Sequence, residues 1–385
     1  MRLKITKSSL IIWIALLVYL KPANAVLWTN VNMCYQILKI IITVIILFKF
    51  MRNNKLDKVT LLCLLFLIVW SVSIYLNNGT LGSRMQEILS IFGLICLFKW
   101  VSNTETQILK TISAIAKIAK IYLVLELVTI IINKPLFAEA IVAYDKYFLG
   151  SDNYSGFIII PLVAILCSYS QIKYKKITFV TWLFAFVGFL DLAIPFSVTA
   201  MFTYLLMLII FIFINNPKFR NFFTVKKILI LSIVFLGLVI GFNIQSHLSG
   251  LLSLIGKIGL NSREIIWPMV VNYILEKPLI GWGKLTENQI NSYMLYGADH
   301  THNFLLEIIF DTGIIGGFVM FLLMREILKK IRFYKVKYIY ILYASLVCYI
   351  VCGMFDFYLS LIYFWLLLFS IDLLKTYAIM NEKQV

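Results

Sequence analysis

Apolar residues in this chain fall into long runs separated by short bands where lysine and arginine gather. A helix needs about 20 mostly apolar residues to cross the hydrocarbon of a bilayer. Twelve windows approach that length, near 9–27, 33–50, 59–76, 86–101, 113–132, 155–172, 177–195, 198–214, 228–244, 303–324, 338–355 and 358–374. With 62% hydrophobic and 14% charged residues, the chain has too little polar surface to enclose a water-soluble core. The expectation is an all-α polytopic integral membrane protein of about 12 transmembrane helices, with residues 1–385 forming a single transmembrane domain.

The formal charge of +17 could suggest nucleic acid, but no soluble basic domain carries it. If the N-terminus is inside, 26 of the 35 lysines and arginines fall on inner segments, the pattern of loops retained in the cytoplasm. Both termini are then cytoplasmic, and no nucleic-acid partner is expected. The first 25 residues imitate a signal peptide ending in Ala23-Asn24-Ala25, yet the later spans count consistently when this segment is kept as the first helix. The six cysteines are scattered, without metal-ligand or disulfide spacing, and read as small packing residues.

One connection is long. Residues 245–302 face the outside as a large extracytoplasmic loop between the ninth and tenth spans. Ile265, Ile266, Met269, Val270, Tyr273 and Ile274 recur there at helical spacing, so an amphipathic helix is expected on or near the outer membrane surface, kinked or restarted at Pro268. Pro278, Gly281 and Gly283 then mark its exit.

All three histidines, His247, His300 and His302, lie in or beside this loop. Ionisable groups in a bilayer cost about 2.5–3.5 kcal/mol each on insertion scales, so their presence at the mouth of the tenth span calls for a purpose. Asn303, Glu307 and Asp311 follow at intervals of four, a polar stripe descending from a helix N-terminus that favours anions. Glu307 and Asp311 serve equally well as structural contacts between helices, and Gly313, Gly316 and Gly317 read as close helix packing. Arg263 and Arg84 are outer cations that either hold an anionic group or snorkel to lipid phosphate. Lys257, Lys277 and Lys284 read as solvated. The chain lacks an Asp-x-Asp metal site, a phosphate-binding Gly-x-x-x-x-Gly-Lys-Ser/Thr loop and His-Glu-x-x-His. No cofactor and no metal are therefore expected, and any chemistry must draw on an already activated substrate.

His302-Asn303, nine residues, Gly313, two residues and Gly316 form a pattern that resembles the bacterial O-antigen ligase and polymerase superfamily. Arg263, Trp267 and Lys277 to Gly283 resemble that family's stretch ahead of the histidine, while Val198 stands after Ser197 where the family often has arginine. The resemblance implies a membrane glycosyltransferase of the lipid-linked oligosaccharide polymerase or ligase type. It would act at the outer face of the bacterial cytoplasmic membrane on oligosaccharide carried by undecaprenyl diphosphate, among membrane lipid. As a polymerase of capsule, exopolysaccharide or O-antigen synthesis, it would pass a growing glycan to a hydroxyl of the next lipid-linked repeat unit without a metal. His302 would be the base and Arg263 the stabiliser of diphosphate charge, with His300, Asn303, Glu307 and Arg84 holding substrate. A chain-length regulator and a flippase are the partners such an activity would meet.

Three other readings stay open. A ligase would use the same donor with a different acceptor. A lipid-linked oligosaccharide or proton-coupled transporter would use Glu126, Asp191, Glu307, Asp311 and Asp356 as a proton path. The third is an assembly subunit without activity.

Overall fold

The computed structural model describes residues 7–53, 56–78, 81–135, 147–214, 216, 224–242, 262–329 and 336–382. Its helices run in the order α1 Lys7–Tyr19, α2 Thr29–Asn53, α3 Lys58–Asn78, α4 Met85–Val101, α5 Glu105–Ile132, α6 Asp152–Tyr174 and α7 Phe179–Ala193. They continue with α8 Val198–Ile212, α9 Val225–Phe242, α10 Arg263–Glu276, the short α11 Glu287–Asn291, α12 Phe304–Leu328, α13 Lys337–Gly353 and α14 Ile362–Glu382. Each of the twelve apolar windows holds one helix. Among the described residues six helices, α2, α3, α6, α9, α12 and α14, are long and apolar enough to cross a membrane, and α1, α7, α8 and α13 are shorter apolar helices. The protein is a polytopic, all-helical membrane protein.

Helices α6, α13 and α14 form the interior. Of α6's apolar window 89% is buried, against 17% for α2, whose exposed Ile37, Ile40, Ile41 and Phe48 suit lipid. The core is dense in aromatic side chains, with Phe364 edge-on to Phe304, Phe357 and Trp365. At one end of α4, Lys99 Nζ lies 2.6 Å from both Asp57 and Asp372, tying α4 to α14 and to the residue just ahead of α3. All six cysteines are free thiols, five of them buried, as expected of packing residues.

Helix α10 departs from its expected form. It begins at Arg263 and runs unbroken through Pro268, which lacks the N–H that would pair with the Glu264 carbonyl. Ile266, Trp267 and Val270 are buried in a small core shared with Leu236 of α9 and Leu306 and Phe310 of α12. Residues 245–261 of the large loop, with His247 and Lys257, lie outside the described residues.

The glycines also differ from expectation. Helix α12 breaks at Gly313, whose φ of 64° and ψ of −174° are not helical. A break there removes the bonds from the N–H groups of Ile314 and Ile315 to the carbonyls of Phe310 and Asp311. Residues 278–283 replace them. Ile314 donates to Pro278 O at 2.8 Å and Ile315 to Leu279 O at 3.3 Å, while Trp282 donates to Phe310 O at 2.7 Å and Gly283 to Asp311 O at 3.1 Å. The approach is close enough that a Cβ on Gly313 would stand 2.2 Å from Leu279 O, and one on Gly281 would stand 2.5 Å from Phe310 O. The Pro-Leu-x-Gly-x-Gly stretch and Gly313 are thus two sides of one backbone splice, not a surface for packing helices.

This predicts a sharp contrast between neighbouring glycines. Gly313→Ala combines a positive φ with a backbone clash and should cost at least about 2–3 kcal/mol of stability. Gly317→Ala meets only Ile309 Cγ1 at 3.5 Å and should be close to neutral. Thermal unfolding of the purified variants in detergent measures both; equal melting temperatures would contradict the splice.

Candidate functional site

The splice holds the loop whose end carries the histidines. Asn303 is the N-cap of α12: its Oδ1 accepts from Leu305 N at 2.9 Å and Leu306 N at 3.3 Å, and its Nδ2 donates to Met354 O at 2.9 Å. One side chain therefore starts α12 and binds it to the connection after α13. Two of the first-turn donors expected to attract an anion, Leu305 N and Leu306 N, are occupied by this cap. Glu307 turns back on the same bend, its Oε2 accepting from Thr301 N and Thr301 Oγ1, each at 2.9 Å. Trp267 Nε1 donates to Thr301 O at 3.1 Å, fixing the bend to α10. His302 consequently sits at φ 54°, a left-handed conformation uncommon outside glycine.

The centre of the arrangement is Asp356, between α13 and α14. Its Oδ1 is 2.6 Å from His300 Nε2 and 3.1 Å from His302 Nδ1. Arg263 approaches Oδ2 at 3.8 Å and donates through Nε to the carbonyl of Phe355. His300 Nδ1 meets Asp299 at 2.6 Å, and its ring lies against Tyr358 with centroids 3.9 Å apart; Tyr154 of α6 stacks on Tyr358 at 4.2 Å. Residues from α6, α10, the α11–α12 connection and the α13–α14 connection thus converge.

The charges differ across the cluster. Burial raises the Asp356 carboxyl, but the His300 charge and hydrogen bonds to both histidines outweigh it and hold the group well below the usual carboxylate range. Burial alone would lower His300; the Asp356 charge and the hydrogen bonds to Asp299 and Asp356 win and raise it to about 10. His302 moves the other way, lowered by burial and by the neighbouring His300 and Arg263 charges against the pull of Asp356. At neutral pH the site therefore pairs an imidazolium at His300 with a neutral imidazole at His302. With an ionised Asp356 accepting, His302 carries its proton on Nδ1, and Nε2 is left as a base.

Two expected residues do other work here. Both ring nitrogens of His300 are engaged and its side chain is only 4% exposed, so it lacks the free polar edge needed to grip a sugar. Arg84 donates to Leu285 O at 2.9 Å and pairs with Glu87 at 3.5 Å, bracing the loop beyond the splice. Lys284 is not simply solvated: it bridges Glu87 at 2.8 Å and Ser360 Oγ at 3.2 Å. Lys277 pairs with the Asn77 side chain. Glu126 accepts from Leu149 N at 2.6 Å and Ser155 Oγ at 3.2 Å, which closes a loop. Asp299, Tyr154 and Tyr358 have no place among the site residues expected from sequence, and Asp356 enters there only in the proton path of the transporter reading. The usable signal was a carboxylate in the apolar stretch "GMFDFYLS", on the same side of the membrane as His302 by helix count.

The donor atoms of His300, His302 and Asp356 lie within 4.8 Å of one another, close enough for a metal ion. Hydrogen bonds among the three account for that closeness. The Arg263 guanidinium beside Asp356 also opposes a further cation.

Residues 183–322 match the sequence model of the family described as O-Antigen ligase. This supports membership of the O-antigen ligase and polymerase superfamily, and the matched stretch contains the splice, both histidines and Arg263. A protein of Rickettsia conorii, provisionally named a polysaccharide ligase, is 33% identical over 107 residues, which cover 25% of this chain and 26% of the relative. The alignment thus spans about a quarter of that relative's length. No solved structure matches.

The opposed histidines give a spectroscopic prediction. In protein labelled at histidine, the His300 resonance should titrate near 10 and that of His302 below its ordinary 6.5. Because the folded value of His300 lies above its unfolded 6.5, its stabilisation is complete below pH 6.5 and fades as pH rises toward about 10. Asp356→Asn should bring His300 down; a His300 signal unmoved by that change would dismiss Asp356 as the source of the shift.

Proposed function

We propose that the chain is a membrane glycosyltransferase that moves a glycan from undecaprenyl diphosphate to a sugar hydroxyl, as a polymerase lengthening a lipid-linked polysaccharide. The observation that carries this reading is the contact of His302 Nδ1 with Asp356, which orients the imidazole beside Arg263. A sugar hydroxyl is a weak nucleophile, and a base near neutrality suits the removal of its proton. His302 Nε2 takes the acceptor's proton as the acceptor oxygen bonds to the donor's anomeric carbon. The bond from that carbon to the diphosphate breaks, and its electron pair leaves with the lipid diphosphate.

Two groups answer the charges that develop. The Arg263 guanidinium faces the negative charge that grows on the leaving diphosphate. Asp356 stabilises the imidazolium formed at His302. His300 acts through Asp356 as a positioning residue, and the half-buried Tyr154 ring, backed by Tyr358, offers an aromatic surface to the apolar face of a sugar. The proposal needs no metal, because the arginine supplies the positive charge.

The site faces outward, both termini lie in the cytoplasm, and a flippase and a chain-length regulator would supply and limit the reaction. The outward placement is favoured by the excess of lysine and arginine at the opposite end of the helices. A ligase is the second reading, favoured by the description of the matched family and the name of the Rickettsia relative. Loss of a polymerase leaves single repeat units on the lipid carrier, whereas loss of a ligase leaves long chains unattached.

His302→Ala should slow glycan transfer by about 10²–10⁴-fold, the usual contribution of a general base. Arg263→Ala should also lose product, and Arg263→Lys should recover only part, since lysine lacks the planar fork. The readout is the length of lipid-linked product made by reconstituted protein from lipid-linked repeat units, with expression matched. Normal product from both alanine variants would end the assignment.

A further inference from the structure

Helices α6 and α13 carry the candidate site at one end, through Tyr154 and the Met354 connection. Their other ends lie about 35 Å away, since 23 residues of α6 rise 1.5 Å each. There a groove of about 520 Å³ opens between the α6–α7 turn, the end of α8 and the start of α13. Its rim carries Lys175, Lys176 and Lys337 with Gln171, and its floor is Trp182, Phe211 and four isoleucines.

The rim is locally ordered. Lys175 adopts a left-handed φ of 59° at the C-cap of α6, and its carbonyl accepts from Gln171 Nε2 at 2.8 Å. Ser170 Oγ donates to Lys176 O at 3.0 Å and accepts from Thr178 N at 3.1 Å. These bonds hold two adjacent lysines on one turn while Lys337 opens the neighbouring helix. Among the described residues, none of the three lysines forms an ion pair with a carboxylate. Three exposed ammonium groups, without acidic partners among the described residues, thus lie around an apolar floor that includes the Trp182 indole.

We propose that this groove seats one anionic phospholipid, its phosphate among Lys175, Lys176 and Lys337 and the upper part of its acyl chains on Trp182, Phe211 and the isoleucines. The two halves of the groove require this combination. A free phosphate satisfies the lysines but leaves the apolar floor wet, and a zwitterionic lipid covers the floor without net charge for three ammonium groups. The lipid braces α6 against α13, the pair that also positions Tyr154 and the Asp356 connection.

Full-length protein in phosphatidylcholine nanodiscs tests this with brominated lipids, which quench nearby tryptophan. The signal from Trp182 is the part of the quenching that disappears in Trp182→Phe. Brominated phosphatidylglycerol should quench it at a mole fraction at least tenfold lower than brominated phosphatidylcholine does. Each lysine is worth roughly fivefold in attraction to an anionic lipid, so combined Lys175→Gln, Lys176→Gln and Lys337→Gln should remove that preference. The corresponding arginine variant should retain it. Equal quenching of the wild-type protein by the two lipids overturns the proposal without any lysine variant. It is also overturned if inorganic phosphate displaces brominated phosphatidylglycerol, which would mark a site for a small anion, or if the preference survives the glutamine substitutions in folded protein.

Discussion

A backbone amide shut away from water must find another partner, and in the non-aqueous part of a membrane protein nearly all of those partners must come from the chain itself. The break at Gly313 meets this requirement in an unusual way. Two donors and two acceptors freed in the middle of α12 are taken up by residues 278–283, so an irregular segment becomes part of a helix's hydrogen-bond ladder. The histidine bend follows nineteen residues after Gly283 and is itself sewn to α12 through Asn303 and Glu307. With both of its ends so fixed, the connection between α10 and α12 acquires a definite position although it is not a regular element throughout.

That fixed position lets a second constraint act. A buried carboxylate is tolerated when cations and hydrogen-bond donors surround it. Asp356 meets this with two imidazoles and a guanidinium, contributed by chain segments up to 93 residues apart. The same grouping produces unequal histidines, because the ring wedged between two aspartates is favoured as a cation and its neighbour is then disfavoured. Two residues of one type, two positions apart, acquire opposite protonation states from their surroundings alone.

Much of the helical framework can be read from the sequence. Bilayer thickness sets the length of apolar run a helix needs, and every expected window contains one. The histidine, asparagine and glycine spacing could likewise be read because its residues lie within a single stretch. What could not be read was pairing between stretches. Gly313 looks like an ordinary packing glycine, and Gly281 like part of a helix exit, until the loop is seen to replace two helical bonds. Arg84 has the composition of an anion-binding residue, but its guanidinium braces Leu285 and Glu87. Asp356 is one of several carboxylates within apolar runs, and no local pattern separates it from Glu126 or Asp191.

By itself the sequence determined that this chain is a helical membrane protein, and it located the residues of a histidine-bearing bend, because hydropathy and local motifs depend only on neighbours along the chain. The tertiary structure decided which carboxylate serves those histidines, which histidine remains neutral and what the glycines are for. Those outcomes depend on distances between segments separated by tens of residues, and on the loss of water around charges that meet only after folding.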